Sequence, residues 1–284
     1  MERKINQRMD NLPEEKRKPQ ILLTNDDGIQ SPALWSAAEA LSEIGFVHVA
    51  APRDQYSGGG RSMPSNSDGI ITPLQVNVHG KEWTVHSVGG SPAQAVLHAV
   101  LEILPRPPDL VVSGINYGEN VGTGITISGT VGAALEAASL GIPALAVSLE
   151  TAVENHLSYS EEVVFSAAAY FTAYFARLLL GRRMPEDVHV LKVDIPAGAT
   201  VDTPWEVTRV SRKRYYEPYK PDRENWDIPS LVPYRLGEDP REDIHNTDVY
   251  TLRVKKAVSV TPLSLDLTSR VRLDEMDKLL RPSR

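Results

Sequence analysis

Short apolar runs alternate with helical patterns through the first half of this chain. The apolar runs, each of strand length, lie at residues 21–23, 46–50, 109–112 and 142–148. The helical patterns follow Pro32, the pair Ser91-Pro92, and the segment Ser128-Gly129-Thr130. Strands that are separated by single helices pair in parallel through right-handed crossovers. The chain is therefore predicted to be an α/β protein built on a parallel sheet.

The remaining pattern predicts a hairpin and several later elements. Strands at 70–78 and 82–86 are predicted to form the hairpin, with its turn at His79-Gly80. Further predicted elements are a helix at 160–180, a strand at 188–195, a strand at 249–261 and a short helix at 274–280. Residues 204–246 are rich in Pro, Tyr, Trp and Arg, which predicts extended hairpins suited to a subunit interface. Residues 1–20 are polar and are predicted to form a flexible extension before a single domain at 21–284.

Composition excludes several classes of function. The net charge of −7 argues against a broad nucleic-acid surface, and the absence of cysteine removes thiol nucleophiles, thiolate metal sites and disulfides. No apolar run approaches the roughly 18–20 residues that a membrane span needs, and the N-terminus has no apolar signal region. We therefore expect a cytoplasmic protein that binds neither membranes nor nucleic acid.

Two adjacent carboxylates follow the first predicted strand. Asp26 and Asp27 stand between Asn25 and Gly28, where a strand gives way to a helix that begins near Pro32. In an open α/β sheet this turn lies at the carboxyl edge of the strands, where ligands bind. Asn-Asp-Asp-Gly is also good turn chemistry, so a structural role remains open from this motif alone. Two repelling charges held together at a ligand-binding edge favour a bound cation.

Two more loops after strands offer compatible oxygen atoms. Ser57 lies in a glycine-rich loop after the second strand, and Asn116 follows the strand at 109–112. Carboxylate, amide and hydroxyl oxygens suit Mg²⁺, Mn²⁺ or Ca²⁺ better than zinc. The helix start at Ser128, Gly129 and Thr130 offers free backbone amides to an anion. A divalent cation facing a phosphate-sized anion site indicates metal-assisted phosphoryl hydrolysis.

Competing signatures are missing from the sequence. There is no Walker A motif, dinucleotide-binding fingerprint, Gly-x-Ser-x-Gly elbow or His-Glu-x-x-His motif. Two alternatives stay open at this point. The chain could be a phosphatase for other phosphomonoesters or polyphosphate, or it could bind nucleotides without turning them over.

Several long segments resemble one enzyme family. They are TNDDGIQSPAL, VAAPRDQYSGGGRS, GGSPAQAV, PDLVVSGINYGENVGTGITISGTVGAALEAASLGIPALAVS, NTDVYTLRV and VSVTPLSLDLT. Their order and length are similar to those of the stationary-phase survival protein (SurE) family of metal-dependent nucleotidases. The resemblance implies a Rossmann-like core flanked by helices, with a C-terminal β extension at about 204–284 that is clasped between subunits of a homodimer or homotetramer. It also implies hydrolysis of nucleoside 5′- and 3′-monophosphates, in some members together with polyphosphate.

The resemblance assigns roles to individual residues. One divalent metal ion, Mg²⁺ or Mn²⁺, would be held by Asp26, Asp27, Ser57 and Asn116. Phosphate would contact Asn116, Ser128, Gly129 and Thr130. We take Asp26 and Asn116 as the catalytic pair, with Asp26 preferred as the group that accepts a proton from water. One departure is that Arg53-Asp54 stands where many members have Asp-Arg, which leaves loop closure and base preference open.

Overall fold

A computed structural model describes residues 18–78, 80–156, 159–160 and 162–281 of the chain. The strands are β1 (Gln20–Thr24), β2 (Phe46–Pro52), β3 (Ile71–Val78), β4 (Lys81–Val88), β5 (Leu110–Tyr117), β6 (Ala144–Leu149), β7 (Val190–Ile195), β8 (Trp205–Val207), β9 (Tyr216–Pro218), β10 (Tyr234–Leu236) and β11 (Val258–Leu263). The α-helices are α1 (Pro32–Ser42), α2 (Pro92–His98), α3 (Gly129–Ser139), α4 (Ser166–Gly181), α5 (Asp248–Arg253) and α6 (Leu273–Leu280).

The central sheet has nine strands in the order β3-β4-β2-β1-β5-β6-β7-β11-β8. The six strands from β4 to β7 pair in parallel, while β3 and β11 run antiparallel to their inner neighbours β4 and β7. The order reverses direction on either side of β1, so β1 and β5 flank a switch point where α/β sheets bind ligands. The predicted α/β fold with a largely parallel sheet is confirmed.

Alternate residues of each inner strand face opposite sides of the sheet, and both sides are buried. Ile21 and Leu23 of β1 belong to the core under α1 and α4, whereas Leu22 belongs to the core under α2 and α3. This is why the strands read as continuous apolar runs rather than as alternating ones. Small residues such as Ala134 on α3 let that helix pack closely on the sheet.

Two predicted elements differ from the structure. The strand predicted at 249–261 is instead helix α5 followed by β11, because Thr247 caps the helix by accepting a hydrogen bond from the N–H of Tyr250 at 3.3 Å. The helix predicted from residue 160 begins only at Ser166. Before it, the Ser160 hydroxyl accepts a hydrogen bond from the N–H of Glu162, a local turn that competes with helix formation.

Several boundaries also shift. The helix predicted after Ser91 ends as a π-helix at Ala99–Ile103, where the N–H of Leu104 bonds to the carbonyl of Ala99. The predicted hairpin is present as the β3–β4 pair, although His79 itself lies outside the described residues. Strand β1 begins at Gln20, and most of the predicted N-terminal extension, residues 1–17, lies outside the described chain.

The C-terminal region contains a separate small sheet. Strands β9 and β10 pair antiparallel, and the long connection between them exposes Trp226, Leu231 and Val232. This agrees with the extended hairpin predicted for 204–246. None of the described helices is both long and apolar enough to cross a membrane.

Candidate metal and phosphate site

The side chain of Asn25 holds the turn after β1. The carboxylates of Asp26 and Asp27 are therefore not needed for the turn and can bind a ligand. The Asn25 side chain accepts a hydrogen bond from the N–H of Gly28 and donates one to its carbonyl, both at 3.1 Å. Gly28 has φ of +96°, a left-handed conformation that favours glycine. Turn chemistry and a binding site therefore coexist here, because Asn25 and Gly28 supply the turn.

Asp26 is 96% buried, and its carboxyl lies against the first turn of α3. The hydroxyl of Thr130 donates a hydrogen bond to its Oδ1. A Cβ on Gly129 would lie 2.7 Å from its Oδ2, so glycine is needed for this approach. Burial raises the pKa of Asp26, while Thr130 and the amides of Gly129 and Thr130 oppose that rise. The Asp26 carboxylate thus occupies some of the hydrogen-bond donors at the start of α3 that could otherwise bind an anion.

Asp27 is almost completely buried as well, with an exposed fraction of 1%. Its Oδ1 accepts a hydrogen bond from Nε2 of Gln55 at 3.1 Å, and its Oδ2 accepts one from the N–H of Tyr117 at 3.2 Å. Burial and the neighbouring charge of Asp26 raise the pKa of Asp27 well above its usual range. Tyr159 donates its hydroxyl to the Asp27 carbonyl at 2.6 Å, which fixes the backbone of the turn.

The carboxylate pair has the chemistry of a cation site. Within the described parts of the chain, neither Asp26 nor Asp27 forms an ion pair with a lysine or arginine. Two adjacent buried carboxylates without a counter-charge cost free energy that a bound cation would offset. The described residues contain no group of three or more His, Asp or Glu able to hold a metal. A divalent ion here would therefore need neutral oxygen ligands in addition, and the pair fits such an ion.

Asn116 lies near the end of β5, one residue before Tyr117. Its Nδ2 donates to the carbonyls of Tyr117 at 3.2 Å and Gly118 at 2.6 Å, so Oδ1 points away from both carbonyls. The next residue, Tyr117, donates its N–H to Asp27. Asn116 belongs to the strand rather than to the loop in which the sequence placed it. The pairing with β6 is irregular there, because the register shifts between Ser113 and Asn116.

Ser57 and Ser128 lie on two other segments, the glycine-rich loop and the start of α3. The Ser57 side chain is exposed, and its segment is tied to the site through Tyr56, whose N–H donates to the Asp26 carbonyl at 2.7 Å. Ser128 is the N-cap of α3 and accepts a hydrogen bond from the N–H of Val131 at 3.1 Å. Its O–H remains able to donate, whereas the O–H of Thr130 is already used by Asp26.

Comparisons with known proteins decide the family. A family model described as survival protein SurE matches residues 21–217. The chain belongs to the SurE family. It is 42% identical over 262 residues to the 5′-nucleotidase SurE of Thermococcus gammatolerans, a match that covers 92% of this chain and 95% of that protein. A protein of the same name from Methanosarcina barkeri is 41% identical and covered to 98%.

A solved structure supports the same assignment. The crystal structure of the SurE protein from Aquifex aeolicus superposes with a TM-score of 0.73 at 32% identity. The match covers 92% of this chain and 99% of that one. The SurE fold therefore accounts for nearly the whole chain, including most of the region beyond residue 217.

The glycine-rich loop of this SurE chain packs against helix α3. Gly60 has φ of +54°, and its N–H donates to the carbonyl of Ile127 at 2.9 Å. A Cβ on Gly132 would lie 2.4 Å from the Gly60 carbonyl oxygen, so two glycines allow the contact. Arg61 then pairs with the buried Glu136 at 2.5 Å. The loop that carries Ser57 is thus attached to α3, the helix that carries Thr130, through residues that follow Ser57 in the sequence.

A buried charge cluster holds the other side of the SurE site. Lys192 contacts Asp194 and lies 3.3 Å from Asp248, and all three side chains are inaccessible to solvent. Asp194 accepts the N–H of Asn120 at 2.8 Å, and Asp248 accepts the N–H of Gly122 at 3.1 Å. These bonds fix the segment that leads from Asn116 to the start of α3.

Sequence reasoning missed four groups that shape this SurE site, namely Gln55, Tyr159, Lys192 and Gly132. Gln55 and Tyr159 reach Asp27 from positions 28 and 132 residues away. No local sequence pattern predicts a contact between residues so far apart in the sequence. Gly132 could have been noticed as a glycine in a helix interior, a position where glycine is unfavourable unless something packs close to it.

Proposed function

We propose that this chain is a divalent-metal-dependent phosphomonoesterase that hydrolyses nucleoside 5′- and 3′-monophosphates to nucleoside and phosphate. The observation that carries the proposal is the buried carboxylate pair, Asp26 and Asp27, which has no cationic side chain paired to it within the described residues and lies against the first turn of α3. Relatives with about 40% identity over most of the chain are named 5′-nucleotidases, and this supports the choice of substrate.

We infer that Asp26, Asp27, Ser57 and Asn116 hold one Mg²⁺ or Mn²⁺ ion. Their oxygens are the hard donors that these ions prefer. A divalent ion held there supplies Lewis acidity, which lowers the pKa of an attacking water and polarises a phosphoryl oxygen. Burial raises the pKa of Asp26, and a cation bound beside it would favour the charged carboxylate.

The chain's own groups have separate tasks in this proposal. Asp26 would accept the proton of the attacking water, since its buried carboxylate lies against Gly129 and Thr130 at the start of α3. The Ser128 hydroxyl would stabilise charge on the phosphoryl oxygens, together with the amides of Gly129 and Thr130, which also interact with Asp26. The Asn116 amide, whose nitrogen is committed to two carbonyls, orients its oxygen as a fixed acceptor. Lys192 and its two aspartates hold the backbone at Asn120 and Gly122, between Asn116 and the start of α3.

We further propose that the chain assembles as a homodimer or homotetramer through its C-terminal region. The side chains of Trp226 and Leu231 on the β9–β10 connection are 94% and 84% exposed. Exposed apolar residues of this size favour a subunit contact. Light scattering at several protein concentrations tests this, and a monomer at all of them would contradict it.

The proposed activity is tested by measuring phosphate release from all common nucleoside 5′- and 3′-monophosphates. Polyphosphate and a simple aryl phosphate extend the panel, and each substrate is assayed with Mg²⁺, with Mn²⁺, with Ca²⁺ and with EDTA. We expect release from nucleotides that stops with EDTA and returns with Mg²⁺ or Mn²⁺. Preference for polyphosphate would instead support a different phosphatase, and binding without release would support a non-catalytic nucleotide-binding protein.

A further inference from the structure

A cavity of about 250 Å³ lies next to the candidate metal site, over the carboxyl ends of β2 and β4. Its walls come from the loop after β2 and from the end of β4; they include Arg53, Tyr56, Asn66, Asp68 and Gly89. The two sides are joined by the N–H of Arg53, which donates to the carbonyl of Val88 at 2.8 Å. In the sheet, β2 is the direct neighbour of β1.

Tyr56 connects this cavity to the carboxylate pair. Its N–H donates to the carbonyl of Asp26 at 2.7 Å, while the residue also lines the cavity. A Cβ on Gly59 would lie 2.3 Å from Cδ1 of the Tyr56 ring, so the ring packs directly on the Gly59 backbone. This contact gives one of the three consecutive glycines a role, because any other residue there would displace the ring.

Internal hydrogen bonds preform the opposite wall. Asp68 pairs with Arg53 at 3.0 Å and accepts the N–H of Ile70 at 3.0 Å. Ser67 donates to Oε1 of Gln94 at 2.7 Å. A Cβ on Gly89 would overlap Asp68, since it would lie 1.7 Å from Oδ1. A ligand entering this cavity would therefore meet a wall that is already ordered, which lowers the entropic cost of binding.

Two side chains of the cavity wall, Tyr56 and Asn66, suit a nucleobase. Arg53 bonds to Asp54 and Asp68, and Ser67 bonds to Gln94, whereas the exposed Asn66 amide forms no hydrogen bond within the described residues. A side-chain amide offers a donor and an acceptor side by side, the pattern that pairs with a base edge. An aromatic ring such as that of Tyr56 provides a stacking surface for a base. The volume is below the roughly 300–1,000 Å³ of pockets for drug-sized ligands, and it matches a smaller planar group.

We propose that this cavity binds the base of the nucleoside monophosphate, with Tyr56 stacking on the base and Asn66 hydrogen-bonding to its edge. The inference rests on the proposed nucleotidase function, because the phosphate must lie at Asp26 for the base to reach the cavity. It makes Tyr56 and Asn66 determinants of substrate specificity, while the phosphoryl chemistry stays with the metal site.

The test compares AMP with p-nitrophenyl phosphate, a phosphomonoester without a base. In Tyr56→Ala we expect the ratio of KM for AMP to KM for the aryl phosphate to rise about 5- to 150-fold, because stacking is lost. Tyr56→Phe keeps the ring and should restore the wild-type ratio. Asn66→Ala should reduce the differences in KM among AMP, GMP, CMP and UMP.

A matched control comes from the opposite side of the site. Tyr234 donates or accepts a hydrogen bond with Nδ1 of His156 at 3.1 Å, and the carbonyl of His156 accepts from the Gln55 that contacts Asp27. Tyr234→Ala removes an aromatic ring without touching the cavity and should leave the KM ratio unchanged. The inference is overturned if Tyr56→Ala leaves the ratio unchanged, or if Tyr234→Ala raises it.

Binding of adenosine separates failure of this inference from failure of the proposed function. Calorimetric titration with adenosine needs no turnover, and we expect its affinity to fall at least fivefold in Tyr56→Ala and to stay unchanged in Tyr234→Ala. If wild-type protein hydrolyses neither phosphoester but adenosine behaves in this way, the nucleotidase proposal fails and the base site stands. Equal adenosine affinity in wild type and Tyr56→Ala overturns the base site whatever the activity.

Discussion

The hydroxyl of Thr130, at the start of α3, donates a hydrogen bond to Oδ1 of Asp26, which lies 104 residues earlier in the sequence at the end of β1. A residue proposed to bind phosphate and a residue proposed to bind metal are therefore in direct contact. The contact follows from the fold, because parallel strands bring the loops at their carboxyl ends to one edge of the sheet. A displacement of the Thr130 hydroxyl is therefore expected to displace the Asp26 carboxylate, and the reverse.

Replacing Asp26 by Asn should abolish hydrolysis without unfolding the protein. The amide cannot accept a proton from water and is a poor metal ligand, so we expect kcat/KM to fall by at least about a thousandfold, or ~4 kcal/mol of transition-state stabilisation. Because burial raises the pKa of Asp26, removal of its charge should leave the thermal midpoint equal to or above that of wild type. Steady-state kinetics and calorimetry measure both quantities, and full activity in Asp26→Asn would refute the mechanism.

A methyl group at Gly132 should displace the glycine-rich loop from α3. The added Cβ would lie 2.4 Å from the carbonyl oxygen of Gly60, and overpacking of this kind typically costs about 1–3 kcal/mol. We expect Gly132→Ala to lower kcat/KM at least tenfold, since Ser57 moves with the loop. Gly124→Ala is the matched control, because a Cβ there meets nothing within 4 Å. Equal kinetics in the two variants would show that the loop does not need this anchor.

Removing Lys192 should destabilise the protein strongly. Lys192→Met leaves Asp194 and Asp248 buried without their counter-charge, and loss of one partner from a buried ion pair costs about 3–5 kcal/mol. Urea unfolding gives the free energy directly. The double variant Lys192→Met with Asp194→Asn should recover part of the loss, because one uncompensated charge is gone. A loss under about 1 kcal/mol in Lys192→Met would contradict a structural role for this cluster.

Glu119 should make stability depend on pH. Burial raises the pKa of this carboxyl, and the nearby charge of Glu150 adds to the rise. Between the ordinary value of 4.5 and the higher folded value, the native state binds more protons than the unfolded state. The contribution of Glu119 to stability is therefore full at acid pH and lost as pH rises through the folded pKa.

The variant Glu119→Gln cannot titrate and isolates that contribution. Its unfolding free energy should rise relative to wild type between pH 4.5 and pH 8, measured by urea denaturation at each pH. The Nη1 of Arg253 lies 3.6 Å from Glu119, so this guanidinium also faces the carboxyl. A difference between variant and wild type that is constant with pH would rule out a raised pKa.

Much of the fold was predictable because local patterns decide it. Apolar strands, a helix start at Ser91-Pro92 with a full capping box, and a carboxylate turn after β1 can all be read from neighbouring residues. The fold class then implies that the loop of Asp26 and Asp27 and the start of α3 lie at one edge of the sheet, and in the structure Thr130 donates a hydrogen bond to Asp26.

The rest depends on contacts that local patterns do not encode. Residues 249–261 have apolar residues compatible with either a strand or a short helix, and the cap at Thr247 decides for a helix over the first part. Ser128 was expected to bind phosphate, and its oxygen also serves as the N-cap of α3. The contacts of Gln55 and Tyr159 with Asp27 arise from tertiary packing, so no local sequence pattern predicts them.

Binding of Mn²⁺ tests the central claim most directly, because it asks whether Asp26 and Asp27 form a cation site without requiring turnover. Electron paramagnetic resonance of free Mn²⁺ is followed during titration with wild-type protein and with Asp27→Asn. We predict that wild type binds one ion per chain and that Asp27→Asn weakens its binding at least a hundredfold. Equal Mn²⁺ affinity in the two proteins, or no binding to wild type, would contradict the proposed site.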